Sequence, residues 1–147
     1  MTPDQVFQLA NTAVLPAWAL LLFWPHGAPT RWLVRSYGWS GALAALYLGL
    51  LVYGLPDAPA DASFTTLVGV RALFRTDWGL VTGWVHYLSF DLAVGVWLVN
   101  DAAARRLAAG WRRWALVPAL LLTFLVGPVG LLTWLGLRRV LAAAPGG

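Results

Sequence analysis

One stretch of this 147-residue chain gathers side chains suited to proton chemistry: Trp84-Val85-His86-Tyr87-Leu88-Ser89-Phe90-Asp91. Asp91 can give or take a proton, and His86 is the side-chain type that titrates nearest neutral pH. On a helix, Tyr87 and Asp91 are four apart and share a face, with Trp84 seven before Asp91 on the same side. His86 is five before Asp91 and projects about 140° away from it. The two are therefore not expected to touch on one helix, although both could border a cavity between neighbouring helices. His86 shares a face with Asn100, and Asp101 falls at the more exposed end of the same segment.

Each of these residues also has a plainer reading. Asp91 could be a buried polar group bonded to another helix, or to Arg71 or Arg75 reaching in. His86 could make an interhelical hydrogen bond or sit at a membrane interface. Asn11 could bond across to the segment of Asp91, as polar residues do between membrane helices. No metal site is expected: the only histidines, His26 and His86, fall in different segments, and cysteine is absent. No phosphate-binding loop, nucleophile elbow, zinc-protease helix or dinucleotide fingerprint occurs. Ser40, Ser63 and Ser89 have no local basic partner.

The elements that must hold these residues are set by composition. Hydrophobic residues make up 60% of the chain and charged residues 11%, where a soluble domain carries about a quarter. A chain this small cannot hide so much apolar surface from water, but a bilayer can act as its solvent. Four apolar stretches are long enough to cross, at roughly 20 residues each. They cover residues 7–24, 37–55, 79–99 and 114–137, and Trp, Tyr or Arg flanks each. The fold expected is all-α: a single polytopic membrane domain, with a four-helix transmembrane bundle. Before the third span, Phe64, Leu67, Val68, Val70, Leu73 and Phe74, with Arg71 and Arg75 among them, suggest a short amphipathic helix at the interface. Gly127-Pro128 and Gly130 interrupt the fourth span, either as a structural kink or as the opening of a lipid-facing pocket beside Asp91. The tail after Arg139 reads as frayed.

The first stretch also has a signal-peptide reading. It lacks a basic leader and a small-residue cleavage site, which favours a retained span. Every basic residue is Arg and every acid is Asp. Six arginines fall in the first and third connections, and four fall in the second and after the fourth span. The positive-inside rule then places connections one and three in the cytoplasm and both termini outside. The net charge of +4 reflects this arrangement and not nucleic-acid binding.

Three segments resemble one family. Trp84 to Leu92 is similar to the tryptophan-x-histidine-x3–4-aspartate stretch of the abscisic-acid-deficient-four family, whose plant members are linked to neoxanthin synthesis. Val14-Leu15-Pro16 resembles its valine-leucine-proline, and Gly127-Pro128-Val129-Gly130-Leu131-Leu132-Thr133 resembles its proline-isoleucine/leucine-glycine-x-leucine segment. Asp101 falls where the family has a second aspartate. The resemblance implies a small multi-pass membrane protein acting on carotenoids. The plant reaction turns a violaxanthin epoxide into an allene with a hydroxyl. It needs an acid at the epoxide oxygen and a base at a ring-adjacent proton, but no cofactor.

By that chemistry Asp91 is the candidate acid, and His86 the candidate base or relay. Tyr87, Trp84, Arg71, Asn11 and Asp101 are candidate substrate-binding residues. The implied partners are a lipophilic carotenoid or isoprenoid and membrane lipids, with room for a homo-oligomer. No plastid transit peptide precedes the first span, so a bacterial cell membrane is the expected location and the substrate need not be violaxanthin. A non-catalytic carotenoid or lipid binder, or an accessory subunit of a membrane enzyme, is the rival reading.

Overall fold

The computed structural model describes residues 1–54, 58–107 and 110–143. All regular structure among them is helical: α1 (Pro3–Phe23), α2 (Gly38–Gly54), α3 (Leu67–Leu73), α4 (Asp77–Ala104), α5 (Leu116–Val126) and α6 (Pro128–Ala143). A π-helical turn (Thr30–Val34) precedes α2, and a 3₁₀ segment (Gly110–Ala115) precedes α5. Residue 55 of the second expected span, residues 56 and 57 of the connection after it and the tail from residue 144 lie outside the described residues.

Local chemistry explains where the helices start and stop. Thr2 and Gln5 cap α1 reciprocally: the Thr2 amide donates to Gln5 Oε1 at 2.9 Å and the Gln5 amide to Thr2 Oγ1 at 3.3 Å. Thr66 and Thr76 cap α3 and α4 by accepting from the amides of Gly69 and Gly79, each at 3.1 Å. The end of α4 is tied by two backbone bonds, from the Arg106 amide to Ala103 O at 3.1 Å and from the Leu107 amide to Ala102 O at 2.8 Å. This is a Schellman closure. Arg106 takes φ 57° there, a left-handed position that usually belongs to glycine.

The chain divides into two compact units. The first comprises Met1–Val14 and Gly41–Ser89. Val6, Ala10, Leu50, Val81 and Val85 form its core, with Phe7, Leu46, Tyr47, Trp78 and Leu88 packed around them. The second comprises Leu15–Ser40 and Phe90–Gly147. Its buried residues include Trp18, Leu21, Leu92, Val96, Val99, Leu120 and Trp134.

Three expected spans coincide with α1, α2 and α4, and the expected amphipathic segment contains α3. The fourth differs. Residues 116–143 are two helices that pack against each other. At the break Gly127 adopts φ 50° and ψ −101°, a backbone that side chains disfavour. Pro128 then opens α6 at the first helical position, where its missing N–H is no loss. Gly130 lies so close to Thr123 and to the Ala119 carbonyl that a side chain there would overlap both. The expected kink is thus a break at which α6 folds back onto α5, and 114–137 does not form one continuous helix.

Among the described residues, α1 is the one helix long and apolar enough to cross a membrane by length and composition. α2 has 17 residues. α4 has 28 but is interrupted by His86, Ser89 and Asp91. The apolar run Arg113–Val126 is also shorter.

Candidate functional site

In the first unit, α4 places Trp78, Thr82 and His86 on one stripe, each four residues after the last. α2 offers Tyr47, Leu50, Leu51 and Gly54, and the connection and α3 add Phe64, Val70 and Phe74. Together these line a cavity of about 510 Å³, within the roughly 300–1,000 Å³ common for small-molecule sites. His86 stands at its wall with the Tyr47 ring 5.1 Å away, centroid to centroid. Trp78 meets Tyr53 edge-on at 5.2 Å. Thr82 spends its hydroxyl on the Trp78 carbonyl at 2.7 Å. Gly83 leaves room for the Phe74 ring, which a side chain there would strike.

The connection before α3 is pinned by an ion pair between Arg75 and Asp61 at 2.6 Å. That bond holds the Asp61 carboxyl below its ordinary range. Both partners are exposed, so the pair adds little stability.

The other candidates of this unit gather elsewhere. Trp84 donates its indole N–H to Asn11 Oδ1 at 2.9 Å. Its ring lies 5.6 Å from Phe7 and stacks on Tyr87 at 5.9 Å and 17°. Asn11, Trp84 and Tyr87 therefore form one aromatic–amide cluster, and none of them lines the cavity. Arg71 is exposed on α3 and is not a lining residue either. The sequence reading missed Tyr47, Phe74, Trp78 and Thr82. The repeat of 78, 82 and 86 could have found two of them.

Asp91 belongs to the second unit. It is half-buried, with no hydrogen-bond or ion-pair partner among the described residues. Asp101, in the same unit, is a hub. It accepts from Arg105 Nε at 2.9 and 3.0 Å, from Trp134 Nε1 at 2.9 Å and from an Arg138 guanidinium N–H at 3.1 Å. Burial pushes its carboxyl up, but the bonds from Trp134, Arg105 and Arg138 outweigh this and leave it below the usual carboxylate range. Beside it, Arg35 donates to Asn100 Oδ1 at 2.6 Å, and Asn100 returns a bond to the Arg35 carbonyl at 3.2 Å. With every oxygen engaged, Asp101 reads as a structural tie within its unit. No group of three or more metal-ligating side chains occurs among the described residues.

Residues 5–134 match the ABA DEFICIENT 4-like family. The chain belongs to that family. The match takes in the Trp84–Asp91 stretch, the cavity wall and the hairpin up to Trp134. No curated protein and no solved structure is similar enough to match. Membership of the ABA DEFICIENT 4-like family suggests a carotenoid-related role.

Proposed function

We propose that this chain is a multi-pass, membrane-embedded protein that isomerises a carotenoid or isoprenoid lipid by acid–base chemistry, in a bacterial cell membrane. The cavity beside His86 carries this reading. Its wall is aromatic and aliphatic, as a ring end of such a lipid requires, and the imidazole is a proton-transfer group set into it. α1, α2 and α4 serve as crossing helices, α3 lies at the interface, and connections one and three face the cytoplasm.

The reaction class is an epoxide-to-allene isomerisation. A proton reaches the epoxide oxygen as the ring C–O bond opens. A base removes the proton from the adjacent vinylic carbon, and the freed pair forms the second of two cumulated double bonds. Atoms and electrons balance without a cofactor. His86 is assigned the base or relay role and Asp91 the acid. Tyr87, Trp84 and Asn11 support the helix that carries both.

A second reading is a non-catalytic carotenoid or lipid binder. One observation favours it: among the described lining residues there is no carboxylate. Pigment analysis of a carotenoid-producing host separates the two. The enzyme reading expects a new isomer with the wild type, lost in Asp91→Asn and His86→Gln while pigment still co-purifies. An unchanged pigment profile with all three chains, alongside co-purified pigment, would leave only the binder.

A further inference from the structure

The second unit carries a topological consequence. α5 has 11 residues and is therefore about 16 Å long, half of a hydrocarbon core of roughly 30 Å. It reverses at Gly127, and α6 runs back along it. Two bonds accepted by Asp101, near the C-terminal end of α4, fix where α6 arrives: from Trp134 at 2.9 Å and from Arg138 at 3.1 Å. A straight crossing from residue 114 would carry Arg138 a full membrane thickness from that end. The connection between α1 and α2 meets the same end through Arg35 and Asn100.

The turn itself suits a low-dielectric setting. Gly127 and Gly130 are buried. The Gly127 amide donates to Thr123 O and the Gly130 amide to Gly127 O, both at 3.0 Å. Non-helical backbone at membrane depth is tolerated when protein covers it and its polar groups are paired.

We propose that α5 and α6 form a re-entrant hairpin that enters and leaves the bilayer on one face, and that the arginines of this face bind anionic lipid headgroups. The inference rests on the membrane placement proposed above but not on the isomerase chemistry. Returning Arg138 and Arg139 to the side of connections one and three changes the arginine balance from six against four to eight against two. That asymmetry is a firm cytoplasmic signal. Arg105, Arg106, Arg113 and Arg139 are exposed, while Asp101 is enclosed by its partners. Exposed guanidinium groups above an anionic leaflet pair with phosphate in forked geometry. Residues 138–143 thus belong on the cytoplasmic side, against the expectation that both ends lie outside.

The chain lacks cysteine, so single cysteines report sidedness directly. Thr2→Cys, Ala104→Cys and Ala142→Cys are each treated with a membrane-impermeant maleimide in right-side-out and inverted vesicles, with permeabilised membranes as the control. Positions 104 and 142 are expected to label only in inverted vesicles, and position 2 only in right-side-out ones. Labelling of 142 together with 2 would overturn the hairpin. A chain recovered outside the membrane fraction would instead overturn the membrane placement. For the headgroups, thermal stability is compared in phosphatidylcholine nanodiscs with and without phosphatidylglycerol. The anionic lipid is expected to raise the wild-type midpoint, and Arg106→Gln/Arg139→Gln to lose at least half of that rise. A midpoint that ignores phosphatidylglycerol would overturn the headgroup assignment.

Discussion

The indole of Trp134 donates to the carboxylate of Asp101 at 2.9 Å across 33 positions of sequence. Trp134 is fully buried, so this bond is enclosed in the second unit and holds α6 to α4. Asp101→Ala leaves the indole N–H and the half-buried Arg138 without their acceptor. The expected cost is about 3 kcal/mol, read as a lower thermal midpoint in detergent.

Acid should weaken the same contact. Asp101 titrates below its ordinary range in the folded chain. A depressed folded pKa gives a stability contribution that is fully present above the unfolded value of about 3.9 and is lost as pH falls through the folded one. The wild type should therefore lose stability below about pH 4, and Asp101→Asn should lack that component. Thermal midpoints from pH 3 to pH 7 check this, and parallel curves would reject it.

Gly127→Ala should cost about 2 kcal/mol, because φ 50° with ψ −101° is strained for any side chain. Gly136→Ala is the control, since space is open around it. That substitution should be neutral or slightly stabilising, as alanine favours helix.

Arg106→Gly should stabilise the chain by about 1 kcal/mol by relieving the left-handed residue that closes α4. Denaturation midpoints in detergent, where no anionic leaflet is present, isolate this backbone effect.

Gly83→Leu should push into Phe74 and fill the cavity beside His86. Pigment co-purifying per mole of protein should fall about tenfold, a loss near 1.4 kcal/mol. Asn11→Leu removes one bond of the separate Trp84 cluster. It should cost about 1 kcal/mol of stability and leave pigment yield unchanged.

Much of the helix pattern was legible because its signals are local. Thr66 and Thr76 announce α3 and α4, and the apolar runs mark α1 and α2. His86 stood out by type, and its neighbours Trp78 and Thr82 were readable as a four-residue repeat. The reversal at Gly127 was not legible, since Gly-Pro marks a bend equally whether the chain continues or returns. What decides it is Asp101, whose partners Trp134 and Arg138 lie more than 30 positions on, beyond any periodicity. Trp84 and Tyr87 were grouped with Asp91 by helix spacing alone. Instead the Trp84 side chain settles on Asn11 and Phe7, and the Tyr87 ring stacks on Trp84. A bond from Asn11 to this segment is the one the sequence suggests, while the ring contacts follow from packing.

The reversal at Gly127 also sets an order of events during synthesis. Domains fold from the N-terminus as the chain emerges, and Trp134 and Arg138 emerge after everything they bind. Until then Asp101 has only Arg105 to answer its charge, and α5 has Trp18 against Phe124 but not the face that α6 covers. The second unit is therefore the last to close, and a ribosome stalled before residue 134 would leave open the face of α5 and the end of α4 that α6 covers.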